Sequence, residues 1–540
     1  MAGALYPSDR FQAATCYAAL CSQYKDAAAS LRAHKLVIEL VQSMVSPSLP
    51  LVERYRNISA VREAIDAAVA AAIEAGDPTL ALLWFEHGRC IVWGHILRLR
   101  IPVDELRSEA PDLAAELDDV FGQISDTERI VDMPYRTPGQ IQAVYRYGDL
   151  VDRFDDLVSR ARQLPGKEAF LQPRTLEELK ETTALGPVIA VHVDKARCDA
   201  LILQHGRDDV LHVPLPQLTL QSAERMRNFI RRSLTMSGTR AIRPSVQRQL
   251  TSMGPSLSAL WTRVVGPVFA ALGLSQSESH LLPRITWCAS GPLALLPFHA
   301  AGIYNGKQKF KAFEYATHSY TPSLSALLSA YRQSLAPVHA EHTIFIASQP
   351  ATPGQIPLPG TVTEVETIQR VVGASKLSWL NDTDATAGAV LDQIGQHSWV
   401  HLACHAVQNS EDPMESGFLL HDGSVSLRAI MRRTTLGRNA LAVLSACQTA
   451  MGDNNQPEEA MHLAAGMLMT GFRSVVGTMW SIGDSDAPVV IEAFYSYLMR
   501  NAGGDSRQSA HALHHAVGRL RESVGEENFT QWVPFVHYGI

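Results

Sequence analysis

Residues 399–407, WVHLACHAV, and 441–448, LAVLSACQ, decide how this chain folds. Each opens as a continuous apolar run of strand length with no polar face. That is the pattern of a strand buried on both sides, as in a parallel sheet covered by helices. The first run ends at His405 and opens into Gln408, Asn409, Ser410, Asp412 and Pro413. The second ends at Cys447 and opens into Gln448, Thr449 and a polar loop up to Pro457. Between them, SGFLLHDG (416–423) reads as a hairpin and SLRAIMRR (426–433) as a helix, so a crossover joins the two strands. The carboxyl ends of strands in an open α/β sheet are where sites form. Strands about 5 Å apart, or about 10 Å with one strand between, bring two such side chains together.

A thiol is mostly protonated at neutral pH, and a neighbouring imidazole converts it to the nucleophilic thiolate. The same imidazole then protonates a leaving amine. Backbone N–H groups where the strands break into loops supply an oxyanion hole. A plainer reading stands beside this one, with Cys447 a small strand-end hydrophobe and His405 a hydrogen-bonded strand-end residue. With 20 histidines in the chain, spacing alone does not separate the two.

Outward from this pair, strands and helices alternate. RITWCA, FEYATHSY, HTIFIAS and RSVVGTMW read as strands, SLSALLSAY and VTEVETIQRVV as helices. Residues 348–360 carry Pro350, Pro353, Pro357 and Pro359 and read as a loop. Further upstream, PVIAVHV, CDALIL and DVLHVPL are β-branched strand runs, followed by helical periodicity over 219–235 and 244–272. Thr175 and Glu178 have capping-box spacing for a short helix. Before them the chain is helical. Ile58, Val61, Ile65, Val69 and Ile73 form a stripe that stops at Ala75-Gly76, and Asp77-Pro78 opens a second helix through Leu83, Trp84, Ile91 and Leu97. A turn that short packs the two helices antiparallel. The pattern predicts an α/β protein, a mostly parallel sheet flanked by helices, preceded by an all-α helical-hairpin region. The boundaries are 1–178 for the helical region and 179–540 for the sheet domain, the latter divided into 179–335 and a subdomain 336–540 that carries His405 and Cys447.

Composition narrows the function. Lys and Arg number 47 against 54 Asp and Glu, a net charge of −7, which lacks the concentrated positive charge that nucleic acid demands. Arg225, Arg227, Arg231 and Arg232 carry no interleaved aromatics and read as one solvated helix face. No window approaches the roughly 18 apolar residues of a membrane span. The seven cysteines are scattered without a CxxC pair, which suits a reducing compartment. These features predict a soluble, cytoplasmic protein with no nucleic-acid or membrane partner. Alternation puts Cys404 on the opposite face from His401 and His405, so no metal site is expected there.

The stretches VHLACHA, ESGFLLHDG, LSACQTA, EEAMHLAAGMLMTGFRSVVGTMW and AFYSYLM resemble the CHAT family of caspase-like proteins, in the superfamily of caspases, separase and gingipains. LPFHAAGIY (296–304), SYTPSLSALL (319–328), LPGTVTEVETI (358–368) and WVPFVHYG (532–539) fit the same family in the right order. The likeness covers the chain from about residue 280, extending to about 185 through GPVIAVHVDKARCDALIL. WFEHGRCIVWG (84–94) is similar to the degenerate TPR-like helical repeats that accompany such domains in fungi.

The resemblance implies a caspase-like fold and a cysteine endopeptidase without cofactor, with His405 as catalytic histidine and Cys447 as nucleophile. The N–H groups of Ala406 and Cys447 would form the oxyanion hole. Ala406 stands where the family commonly has glycine, and a β-carbon costs about 1 kcal/mol if φ there is positive. The edge after Met479-Trp480 lines a substrate pocket in related peptidases, which makes Trp480, Asp484 and Asp486 pocket candidates that would select a basic side chain. The plainer reading, in which the two carboxylates complement a helix N-terminus, outweighs the pocket reading. The expected partners are a protein or peptide substrate and a protein bound by the helical region. The alternative is a catalytically silent caspase-like scaffold or adaptor, a role that does not require both His405 and Cys447.

Overall fold

The computed structural model describes residues 7–24, 26–44, 51–89, 106, 109–131, 138–168, 170–237, 253–277, 281–305, 308–335, 343–409, 413–433, 439–445 and 463–540. The chain divides into two compact units, Met1–Leu176 and Glu177–Ile540.

The first unit is helical. Successive helices Pro7–Gln23, Ala27–Met44, Leu51–Glu74 and Pro78–Gly88 pack as neighbours, as do Pro111–Val131 and Pro138–Arg162. The Val61, Ile65, Val69 and Ile73 stripe is buried. Gly76 turns the chain at φ +80°, and Asp77 Oδ1 accepts from the Leu80 N–H at 2.8 Å, capping a helix that has Pro78 in its first turn. The expected continuation of that helix to Ile91 and Leu97 lies outside the described residues. In the last helix pair, Leu113, Leu117 and Val120 meet Leu150, Phe154 and Leu157, recurring at helical spacing on both sides.

The second unit is built on one sheet. Its strands begin with β1 (Val188–Val193), β2 (Cys198–Leu203), β3 (Leu211–Pro214) and β4 (Arg284–Ala289), followed by a short hairpin of β5 (Gly302–Ile303) and β6 (Phe310–Lys311) outside it. Then come β7 (Thr317–Tyr320), β8 (Ile344–Ser348), β9 (Leu377–Asn381) and β10 (Trp399–Ala403). A second small sheet holds β11 (His405–Val407), β12 (Gly417–Leu419) and β13 (Ser424–Ser426). The main sheet finishes with β14 (Leu441–Leu444), β15 (Ser474–Thr478) and β16 (Phe535–Gly539).

Among the described residues the main sheet has 11 strands in the order β3-β2-β1-β4-β7-β16-β15-β14-β10-β8-β9. Pairing is parallel among β9, β8, β10, β14 and β15, and again among β16, β7, β4 and β1. The two parallel blocks run in opposite senses and meet at the antiparallel β15–β16 pair. The central strands are buried along their whole length, as their apolar runs require, while the edge strand β9 keeps Trp379 partly exposed. Of FEYATHSY only Thr317–Tyr320 is extended. Ala312–Glu314 forms a 3₁₀ turn instead, in which Phe313 packs edge-on to Trp532 and under the Arg521 guanidinium, 3.5 Å from its ring centre.

Polar side chains fasten the seam between the blocks. Arg284 of β4 donates to Ser319 Oγ of β7 at 3.0 Å and to the Gly539 carbonyl of β16. His537 of β16 meets Ser319 Oγ and Ser509 Oγ, each at 2.9 Å. Gly539 has φ +92°, and a β-carbon there would strike the Arg473 carbonyl, so the last turn of the seam requires glycine. Nearby, His299 lies between the Tyr320 hydroxyl (2.7 Å) and the Val533 carbonyl (2.9 Å), and His318 between Trp287 Nε1 (2.9 Å) and the Ala312 carbonyl (3.1 Å). Each ring thus accepts on one nitrogen and donates on the other, which holds it neutral. No helix among the described residues is long and apolar enough to cross a membrane.

Loss of water pushes His299 down to about 4, His318 to about 3 and His537 well below the usual 6.5. Below pH 6.5 the unfolded chain binds protons that the folded chain refuses. Stability is therefore complete above pH 6.5 and falls as pH drops towards 4, by about 1.4 kcal/mol per pH unit for each histidine. Thermal unfolding from pH 7.5 to 4.5 should show a midpoint that declines only below about 6.5. A flat profile over that range would contradict the neutral assignment.

Candidate active site

β8, β9, β10, β14 and β15 stand in the order β9-β8-β10-β14-β15, and the chain switches sides between β8 and β10. The crevice beyond the carboxyl ends at such a switch is where ligands bind in open α/β sheets. β10 and β14 are immediate neighbours, with Trp399↔Leu441 through Leu402↔Leu444 in register. Pairing carries one step further, because the Ser445 N–H donates to the Leu402 carbonyl at 3.0 Å. On the other side, the Gln349 N–H donates to the Ala403 carbonyl at 2.9 Å.

His405 follows directly. The chain leaves the main sheet at Cys404 and re-pairs as β11 against β12, with His405↔Leu419 and Ala406↔Phe418. His405 is half-buried, and its Nε2 lies 2.7 Å from the carbonyl oxygen of Ile356. A carbonyl only accepts, so Nε2 carries the proton and Nδ1 is the basic nitrogen. Ile356 sits in the proline-rich segment between β8 and the helix Gly360–Val372, which is closed by the Leu358 N–H on the Pro350 carbonyl at 2.8 Å. Ala406 is not at positive φ, so the β-carbon in the family's usual glycine position adds no backbone strain. Cys447 lies outside the described residues, and the strand leading to it is described as far as Ser445.

Three further pocket candidates have structural partners. Trp480 is buried with Nε1 donating to the Thr530 carbonyl at 3.1 Å. Asp484 is exposed and its Oδ2 accepts from the Gly360 N–H at 2.8 Å, at the start of the Gly360–Val372 helix. A β-carbon at Gly360 would collide with Asp484, so glycine permits this approach. Asp486 is buried, and both its oxygens accept from Gln531 Nε2 at 3.2 Å.

Two groups escaped the sequence reading. Glu364, on the Gly360–Val372 helix, is buried and accepts from Ser445 Oγ at 2.9 Å and from His401 Nε2 at 3.1 Å, while His401 Nδ1 lies 3.2 Å from the Tyr495 hydroxyl. Gln349 is fully buried at the end of β8, and its side-chain amide finds no partner among the described residues. Among the described residues no group of three or more His, Cys, Asp or Glu is arranged to hold a metal ion.

The family model for the CHAT domain matches residues 254–540, more than half of the chain. The chain belongs to the CHAT domain family. Among solved structures, this CHAT chain is similar to Saccharomyces cerevisiae separase in its complex with securin, with 11% identity and a TM-score of 0.51, over 99% of this chain and 40% of that one. It is also similar to the Arg-specific cysteine proteinase gingipain R, with 11% identity and a TM-score of 0.35, over 47% of this chain and 62% of that one. The chain thus spans less than two thirds of either. The separase likeness shows the fold, a caspase-like α/β sheet with a helical region before it. No curated protein matches the sequence.

Nitrogen-15 NMR of histidine-labelled protein should show His405 as the Nε2–H tautomer at neutral pH. An Nδ1–H tautomer would remove the Ile356 contact from the site.

Proposed function

We propose that this CHAT protein is a cysteine endopeptidase of the caspase and separase type, in which His405 and Cys447 form the catalytic dyad. The observation that carries the reading is the Nε2–H of His405 on the Ile356 carbonyl. It leaves Nδ1 as the one nitrogen able to take the Cys447 proton. The resulting thiolate attacks a peptide carbonyl, forming a C–S bond and a tetrahedral oxyanion. The backbone N–H groups of Ala406 and Cys447 hold that oxyanion. Collapse breaks the C–N bond, and Nδ1–H protonates the departing amine. Water then gives its proton to Nδ1, adds to the thioester and releases the acid and the thiol. No cofactor enters these steps.

Trp480, Asp484 and Asp486 border the substrate pocket in this reading. Asp484 is the exposed carboxylate of the set and is the group offered to a basic side chain. The helical unit binds a protein partner, as a regulated peptidase requires. The separase to which this fold is similar was crystallised with its partner securin. The scattered cysteines favour a reducing, cytoplasmic setting.

Incubating a diverse peptide library with the protein, beside Cys447→Ala and His405→Ala, should give cleavage that both substitutions abolish, read by mass spectrometry. Cleavage unchanged in either variant would refute the dyad, and no cleavage by any of the three would favour the scaffold. Asp484→Ala should lower preference for Lys or Arg at the cleaved bond. It should also cost about 1 kcal/mol of stability through the lost cap on Gly360, read by denaturant unfolding.

A further inference from the structure

A chain of buried polar groups runs beneath the ends of β10 and β14. Glu364 is only 2% exposed and His401 not at all. Burial, with the Glu364 carboxylate facing it, raises the Tyr495 phenol and keeps its proton in place. Its hydroxyl lies 3.2 Å from His401 Nδ1; a carboxylate only accepts, so His401 Nε2 carries a proton and donates to Glu364 Oε2, while Ser445 Oγ–H donates to Oε1. One carboxylate therefore joins β10, through His401, to the residue that follows β14. Its own helix begins directly after the segment whose Ile356 carbonyl holds His405.

A carboxylate in a protein interior costs several kcal/mol unless fully hydrogen-bonded, and an apolar side chain of similar size would fill the space without that cost. Charged hydrogen bonds are short and directional, which apolar packing is not. What the carboxylate adds is a fixed distance between two strands. His401 lies on β10, and only Leu402, Ala403 and Cys404 separate it from His405, which opens β11. Ser445 is separated from Cys447 by Ala446 alone.

We propose that Glu364 is a positioning residue for the dyad: its bonds to His401 and Ser445 set the register of the strand ends that lead to His405 and Cys447. This rests on the dyad reading. Glu364 touches neither substrate nor reacting atoms and acts through the two strands.

The test reads thiol chemistry, so that it does not depend on knowing the substrate. Iodoacetamide alkylation of Cys447 is followed by peptide mass spectrometry from pH 5 to 9, in the full chain and in Glu364→Gln, Ser445→Ala and His405→Ala. In the full chain Cys447 should react faster below pH 7 than the exposed Cys16, and His405→Ala should remove that advantage. Glu364→Gln offers Nε2–H₂ or a weaker carbonyl to two donors, so one bond is lost; alkylation below pH 7 should fall about tenfold, with the remaining reactivity displaced to higher pH. Ser445→Ala severs one arm with little risk to folding and should cost about threefold. Wild-type rates and pH profile in Ser445→Ala and in any folded Glu364→Gln would overturn the positioning role while leaving the dyad intact. An unchanged Cys447 profile in His405→Ala would overturn the dyad, and the role of Glu364 with it.

Discussion

The parallel pairing of β10 with β14 is the constraint on which the site depends. In parallel strands paired residues face the same side, and a shift of one residue sends every following side chain to the other face. The Leu402↔Leu444 pair and the Ser445 N–H on the Leu402 carbonyl fix this register to the last paired residue of the sheet. On the other side of β10, β8 ends in step, with Ala403↔Ser348 and the Gln349 N–H on Ala403. Three strands thus stop on one line, and the crevice there inherits its geometry from backbone hydrogen bonds.

The polar interior is organised around the same need. A wide sheet of two opposed parallel blocks has one seam, at β15 and β16, where a continuous apolar core offers no directional preference. Arg284, Ser319, His537, Ser509 and Ser474 supply it, reaching across β4, β7, β16 and β15. Burial pushes Arg284 down to about 10, while its Nε meets Ser319 and its Nη2 a backbone carbonyl. The histidines beside it are kept neutral by desolvation, and each lies between a donor and an acceptor. The region joining the halves of the sheet is held by groups whose loss would leave buried partners unsatisfied.

Much of this was legible in the sequence because fully buried parallel strands are nearly pure apolar runs. WVHLA, LAVL, IFIAS and the Asp77-Pro78 turn announce themselves by composition and caps. β9 did not, since an edge strand with Ser378 and Asn381 lacks the apolar run. FEYATHSY misled because Phe313 and Tyr315 have strand propensity but are drawn by Trp532 and Trp261 into a turn. The strand-end position of His405 could be read from the change to polar loop. Its partner could not, because a backbone carbonyl leaves no mark on residue identity and Ile356 is an exposed loop residue. Glu364 did leave a mark: it stands on the helix stripe with Thr361, Val365 and Ile368, a charge where a hydrophobe was due.

That misplaced charge separates the demands of folding from those of chemistry. Thr361, Val365 and Ile368 suffice to bury the helix against the sheet, and a methionine or leucine at 364 would continue the stripe. Asp484 shows the contrast. Its carboxylate is exposed, caps one helix N-terminus and serves the fold at small cost. The Glu364 carboxylate is placed where its desolvation is expensive, and its two partners lie on β10 and just after β14, on the segments that lead to His405 and Cys447. An interaction that weakens the fold unless every bond is made, and that ties together the strand ends leading to a proposed nucleophile and its base, is explained by geometry required of those ends rather than by stability.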